Sequence, residues 1–209
     1  MSVTKEEMKK TKIDLVRTKA NSLAGVQLVK AFSQGLGAEL QQLTELEQRG
    51  ACRALCLQWI IHRHQGKDFW AIMEEKAIFR QIIHQQRSWD KAEKSNQTQE
   101  EWIALALSTA GLSIRQPLQR LQIAPQIRIQ DSYPFHLYRA VWRPRGAHAM
   151  AAHFIGPWVE FFDPNLGHFH CDSRVAYANL LNNVIFAGRQ YGTGKTLVEL
   201  WMREIGPRQ

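Results

Sequence analysis

The segment Ala51–His64 constrains the fold more than any other part of the chain. Ala51, Ala54, Leu55, Leu57, Trp59, Ile60 and Ile61 leave little polar face over a helix-length stretch. A helix that is apolar nearly all round has to be enclosed by other elements of the same protein. No stretch approaches the ~18 uncharged apolar residues that a membrane-spanning helix needs. A chain of 209 residues can supply the enclosing layers as one domain, or one domain with an added arm, without disulfides.

The flanking sequence shows what those layers are. Residues 1–20 are lysine-rich and polar, which reads as a helical arm. Residues 21–48 carry apolar residues at mostly helical spacing, interrupted around Gly35 and Gly37. Gly50 then punctuates the chain, so the arm is expected over residues 1–47 and the main domain over 48–209. Residues 68–86 read as one amphipathic helix and 90–97 as a solvated connection. Thr98-Gln99-Glu100-Glu101 has the capping-box form and opens a helix ending at Gly111.

After residue 126 the period changes. Phe135–Trp142, Ala149–Ile155 and Trp158–Phe162 are strand-like, the last two joined at Gly156-Pro157 as a hairpin. Asp163-Pro164-Asn165-Leu166-Gly167 is a turn, and Phe169 begins a third strand. Residues 174–188 read as helix. Thr196–Ile205 is open between strand and helix, with strand favoured. Helices in the first half and antiparallel strands in the second define an α+β protein.

Three cysteines, Cys52, Cys56 and Cys171, are an odd number. With no apolar run behind Met1–Lys5 to act as a signal peptide, reduced thiols are expected rather than a disulfide framework. The net charge is +8, and residues 111–209 carry 11 basic against 6 acidic side chains, all but one of the 11 being arginine. Such a face suits an anionic partner, whether nucleic acid, lipid headgroups or an acidic protein surface, or is simply a soluble surface of high pI.

Reactivity concentrates on one thiol. Cys52 follows Gly50-Ala51 at the start of the buried helix, where free N–H groups and the helix dipole favour a thiolate. Cys56 lies one turn on, in apolar surroundings, and reads as a core thiol. His148, in Gly146-Ala147-His148-Ala149-Met150, opens an apolar strand. Asp163 closes the next one, at nearly the same distance from the hairpin turn. The hairpin therefore brings His148 and Asp163 together, so that a carboxylate can accept from an imidazole and fix its tautomer. His153 has the opposite strand parity and faces away.

Gly50-Ala51-Cys52-Arg53-Ala54-Leu55-Cys56-Leu57-Gln58-Trp59-Ile60 resembles the nucleophile helix of the YopT/AvrPphB cysteine proteases. Ala147-His148-Ala149, together with Phe161-Phe162-Asp163-Pro164-Asn165-Leu166-Gly167, resembles their histidine strand and aspartate turn. The resemblance spans roughly residues 48–188. It implies a papain-like fold, a Cys52-His148-Asp163 triad, no cofactor or metal, and a bacterial effector or toxin acting on a protein of a target cell. For an oxyanion-hole amide it offers Gln48, four residues before Cys52, or Gln41 or Gln42 further off, with Gln48 favoured. It further implies delivery by a bacterial secretion system, action in the target-cell cytosol or at its membrane, and partners such as a chaperone or immunity protein. Nucleic acid is not an expected partner. Members act on prenylated Rho-type GTPases and on kinases, while relatives with a similar triad acylate lysines. An acidic cleft would suit polybasic Rho tails, and the arginine-rich second half argues against that substrate. An acyltransferase with the same triad and a non-catalytic basic module that binds membrane or nucleic acid are the competing readings.

Two other patterns carry less. Gly192-Thr193-Gly194-Lys195-Thr196 lacks the first glycine of a phosphate-binding loop, since Arg189 stands there. His168 and His170 share a strand face but have no partner pair at metal-ligand spacing.

Overall fold

The computed structural model describes residues 4–33, 51–93, 99–121, 132–144, 146–187 and 196–208. In chain order these form α1 (Lys5–Asn21), β1 (Val26–Ala31), α2 (Cys52–His64), α3 (Phe69–Met73), α4 (Lys76–Glu93) and α5 (Gln99–Ser108). Then come β2 (Leu112–Ile114), β3 (Gln119–Leu121), β4 (Phe135–Arg143), β5 (Ala147–Ile155), β6 (Trp158–Asp163) and β7 (Gly167–Cys171). The chain continues through α6 (Arg174–Leu180), a π-helical turn (Leu181–Ile185) and β8 (Thr196–Pro207). The strands form one antiparallel sheet in the order β1-β7-β6-β5-β4-β8-β2, with β3 also paired to β8.

Strand alternation gives the sheet two apolar faces, and each has its own helical cover. Phe135, Leu137, Ala149, Ala151 and Phe162 meet α2–α5. Tyr138, Ala140, Met150, Ala152 and Phe161 meet α6 and Ile13 and Ala20 of α1. The apolar segment that opened the reading is indeed the enclosed helix. In α2, Ala54, Leu55, Cys56, Leu57, Trp59 and Ile60 are wholly buried. Trp59 stacks on Phe162 at 5.8 Å, and Phe69 meets the same ring edge-on at 5.5 Å. At its far end α2 is tied to the sheet by an ion pair from Arg63 to Glu160 of β6.

The α+β layout and the Gly156 hairpin agree with the sequence. Three local expectations do not. Residues 68–86 are not one helix: Asp68 caps α3 by accepting from the Trp70 N–H at 2.9 Å, and α4 starts afresh at Lys76. The polar stretch after residue 90 begins later than expected. The buried stripe Phe79, Ile82, Ile83, Gln86 and Trp89 keeps α4 helical through Glu93. Finally, Val26–Ala31 is a strand rather than helix. Gly25, at φ 74°, turns the chain out of α1, and the strand completes the β7 edge with Val26 opposite Cys171. Tertiary pairing overrides a weak local period there. The proposed boundary at residues 47 and 48, Thr98 of the capping box, and Gly188–Lys195 of the glycine-rich stretch lie outside the described residues.

Candidate active site

The site is built from one helix start and one hairpin end. Cys52 is the first residue of α2, behind Ala51, which offers no side-chain cap. The first-turn N–H groups of a helix lack intrahelical acceptors, so this end presents donors and a positive potential to the sulfur. One of these donors is used differently. The Ala54 N–H donates to Gln86 Oε1 at 3.0 Å, and Gln86 Nε2 donates to Asp90 Oδ1 at 2.8 Å. Gln86, only 3 % exposed, therefore ties α4 to the nucleophile helix.

β5 and β6 pair with Ile155 opposite Trp158 and Ala151 opposite Phe162, so their far ends coincide. There His148 Nε2 and Asp163 Oδ1 are 2.8 Å apart, both buried. The same Asp163 oxygen accepts from the Asn165 backbone N–H at 2.8 Å, which fixes the turn. The Asn165 carboxamide nitrogen lies 3.4 Å from His148 Nε2 and 3.5 Å from Nδ1, alongside the ring. With Nε2 engaged by Asp163, Nδ1 is the ring nitrogen left for the Cys52 thiol, and the two groups line the same cleft.

The electrostatics follow from these contacts. Burial pushes the Cys52 thiol up. The His148 hydrogen bond and charge, the Ala149 N–H and the Arg53 charge outweigh burial, and the net shift is downward. Burial also opposes the His148 cation, but Asp163 and Cys52 raise it to about 10. Cys56 has no such support, and burial holds its thiol well above the ordinary range. Burial likewise raises Cys171, to about 12.

The structure thus brings Cys52, His148 and Asp163 together. Gln48, the fourth expected residue, lies outside the described residues. His153 faces elsewhere: it stacks on Phe135 at 4.3 Å and sits 3.5 Å from Glu160. His168 is buried against Trp70 Nε1, at 3.3 Å, and Glu160. Among the described residues no group of three His, Cys, Asp or Glu side chains could hold a metal ion. Sequence reasoning missed Asn165, Gln86 and Asp90. Asn165 was legible as the residue after Asp-Pro in a tight turn, whereas nothing local marks Gln86 or Asp90.

A cleft of about 160 Å³ opens beside Cys52 and His148. Its helical wall carries Arg53, Gln86 and Asp90, and its sheet wall carries Leu137, Arg139 and Arg203.

Residues 18–197 match the Yersinia/Haemophilus virulence surface antigen family of C58 peptidases, the YopT family. The chain belongs to this family. Its members are cysteine proteases and virulence effectors, and this protein is accordingly a cysteine protease with a protein substrate. That sets aside the reading of a non-catalytic basic module. The fold is similar to the crystal structure of the Pseudomonas avirulence protein AvrPphB, with TM-score 0.60 and 17 % identity. The match covers 78 % of this chain and 95 % of that one. At that identity the likeness speaks to the papain-like fold alone. No curated protein matches the sequence.

Proposed function

We propose that this C58 peptidase cleaves a peptide bond of a target-cell protein through a Cys52-His148-Asp163 triad. The observation that carries the reading is the buried His148 bonded to Asp163 Oδ1 at 2.8 Å in the cleft that Cys52 lines from the α2 N-terminus, with the thiol pulled down and the imidazole raised. His148 takes the Cys52 proton, and Asp163 holds the ring and balances the imidazolium. The thiolate attacks the scissile carbonyl. Backbone N–H at the start of α2 stabilises the oxyanion, with the Gln48 amide as its proposed side-chain partner. His148 then protonates the leaving amine, and water releases the acyl-enzyme.

Membership of a virulence family supports action inside a target cell after delivery by a bacterial system. A chaperone or immunity protein is a proposed partner, and so is an anionic membrane surface, in keeping with the net charge of +8. No structural feature favours lysine over water as acyl acceptor, so hydrolysis is the reading adopted.

The test is alkylation by iodoacetamide at pH 7, read by intact mass and peptide mapping. Cys52 should label ahead of Cys56 and Cys171, and His148→Ala or Asp163→Ala should slow it by ten-fold or more. Labelling no faster than Cys171, or indifferent to His148→Ala, removes the triad.

A further inference from the structure

Charge in the cleft is arranged to receive an anion. Arg53 follows Cys52 on the first turn of α2 and is half-buried. Arg139 is exposed on β4, directly opposite Ala149, the residue after His148. Neither guanidinium forms an ion pair among the described residues. The third arginine of the cleft, Arg203, is buried and paired with Glu100 at 3.1 Å, so its charge is already met. The acid on the helical wall, Asp90, accepts from the Gln86 amide, which the Ala54 N–H holds in place.

We propose that Arg53 and Arg139 form a subsite that takes a carboxylate side chain of the target protein beside the scissile bond. This rests on the protease reading above. A partly desolvated guanidinium gains most from an anion that reaches it with two oxygens. The positive end of α2 adds to the same field. Leu137 and Ile103 line the same cleft and provide an apolar floor for the stem of an acidic residue. Arg53 also favours the Cys52 thiolate, so it serves nucleophile and substrate from one position. A polybasic segment, by contrast, would face two unpaired cations.

Two measurements on the full chain test this at low ionic strength. The first compares Cys52 alkylation by iodoacetate, an anion, with that by neutral iodoacetamide. The iodoacetate-to-iodoacetamide rate ratio should fall about five-fold in Arg139→Gln, the scale of one exposed charge pair, and should fall also in Arg53→Gln. Taking the ratio cancels any change in the thiolate itself. The second asks whether tetra-glutamate or tetra-lysine protects Cys52 from iodoacetamide, with protection by tetra-glutamate alone expected. A ratio that is the same in wild type and both variants overturns the subsite. So does protection by tetra-lysine that Asp90→Asn removes, which would assign the cleft to a basic segment. Cys52 inert to both reagents would instead remove the triad reading on which the subsite depends.

Discussion

Cys52 and Cys56 are the same residue type one helical turn apart, and their surroundings separate them completely. Both are buried, yet His148, the Ala149 N–H and Arg53 together outweigh burial and lower the first thiol, while burial raises the second. Cys52→Ala should therefore abolish proteolysis with little loss of stability. Cys56→Ala should keep proteolysis and cost about 1 kcal/mol through the small cavity it leaves, read as a lower midpoint in urea. The pH profile has a definite sign. The Cys52 shift is downward and the His148 cation persists to about 10. The thiolate–imidazolium pair thus exists across neutral pH, and alkylation of Cys52 should stay fast below the ordinary thiol value of ~8.5. In His148→Ala burial is opposed only by the Ala149 N–H and the Arg53 charge, so the alkylation midpoint should move upward. A midpoint that does not rise would mean that His148 does not hold the proton of Cys52. At this scale the placement of Cys52, His148 and Asp163 was legible: two positions at the far ends of a hairpin, and one at a helix start, follow from spacing. Gln86 was not, because its role depends on what another element brings near.

At the scale of elements, α2 and the β5–β6 hairpin carry the proposed triad, and their neighbours set their positions. α2 was readable from its apolar content, because a helix without a polar face has one solution. The hairpin was readable from its turn and its two alternating runs. β1 was not, because Val26–Ala31 has a pattern that suits either period and only the open β7 edge decides it. The turn into that strand depends on Gly25. Its φ of 74° suits glycine, and a Cβ there would lie 2.2 Å from Asp172 Oδ1. Gly25→Ala should therefore destabilise the protein by more than the ~1 kcal/mol of a left-handed alanine. Thermal unfolding of the purified variant measures this, and an unchanged midpoint would mean that β1 contributes little to the sheet.

Across the whole molecule, the N-terminal helix is linked to the Asp163 turn. Arg17 of α1 donates from Nε to the Leu166 carbonyl and from Nη2 to the Phe32 carbonyl, each at 2.7 Å. Leu166 lies in the turn that Asp163 opens, and it is wholly buried. One guanidinium thus clamps Phe32, just past β1, to the aspartate turn, the latter contact spanning 149 residues of sequence. Arg17→Ala loses two charge-assisted bonds in part-buried surroundings, a cost of about 2 kcal/mol. It should also slow Cys52 alkylation by loosening the Asp163 turn, whereas a variant at exposed Lys19 should do neither. Equal alkylation rates in Arg17→Ala and wild type would limit the clamp to stability.

The sequence by itself determined the enclosed helix, the hairpin, the thiol at a helix start and the order Cys52, His148, Asp163. Each of these rests on local period, turn chemistry or spacing along one or two adjacent elements. Only the tertiary structure decided that β1 joins the sheet, that Arg17 reaches the Asp163 turn, and that Gln86 ties α4 to α2. The same is true of Arg53 and Arg139 facing one cleft. Those contacts join residues far apart in sequence, and no local preference encodes them. They form because each buried donor needs an acceptor and each open strand edge a partner, wherever along the chain these lie.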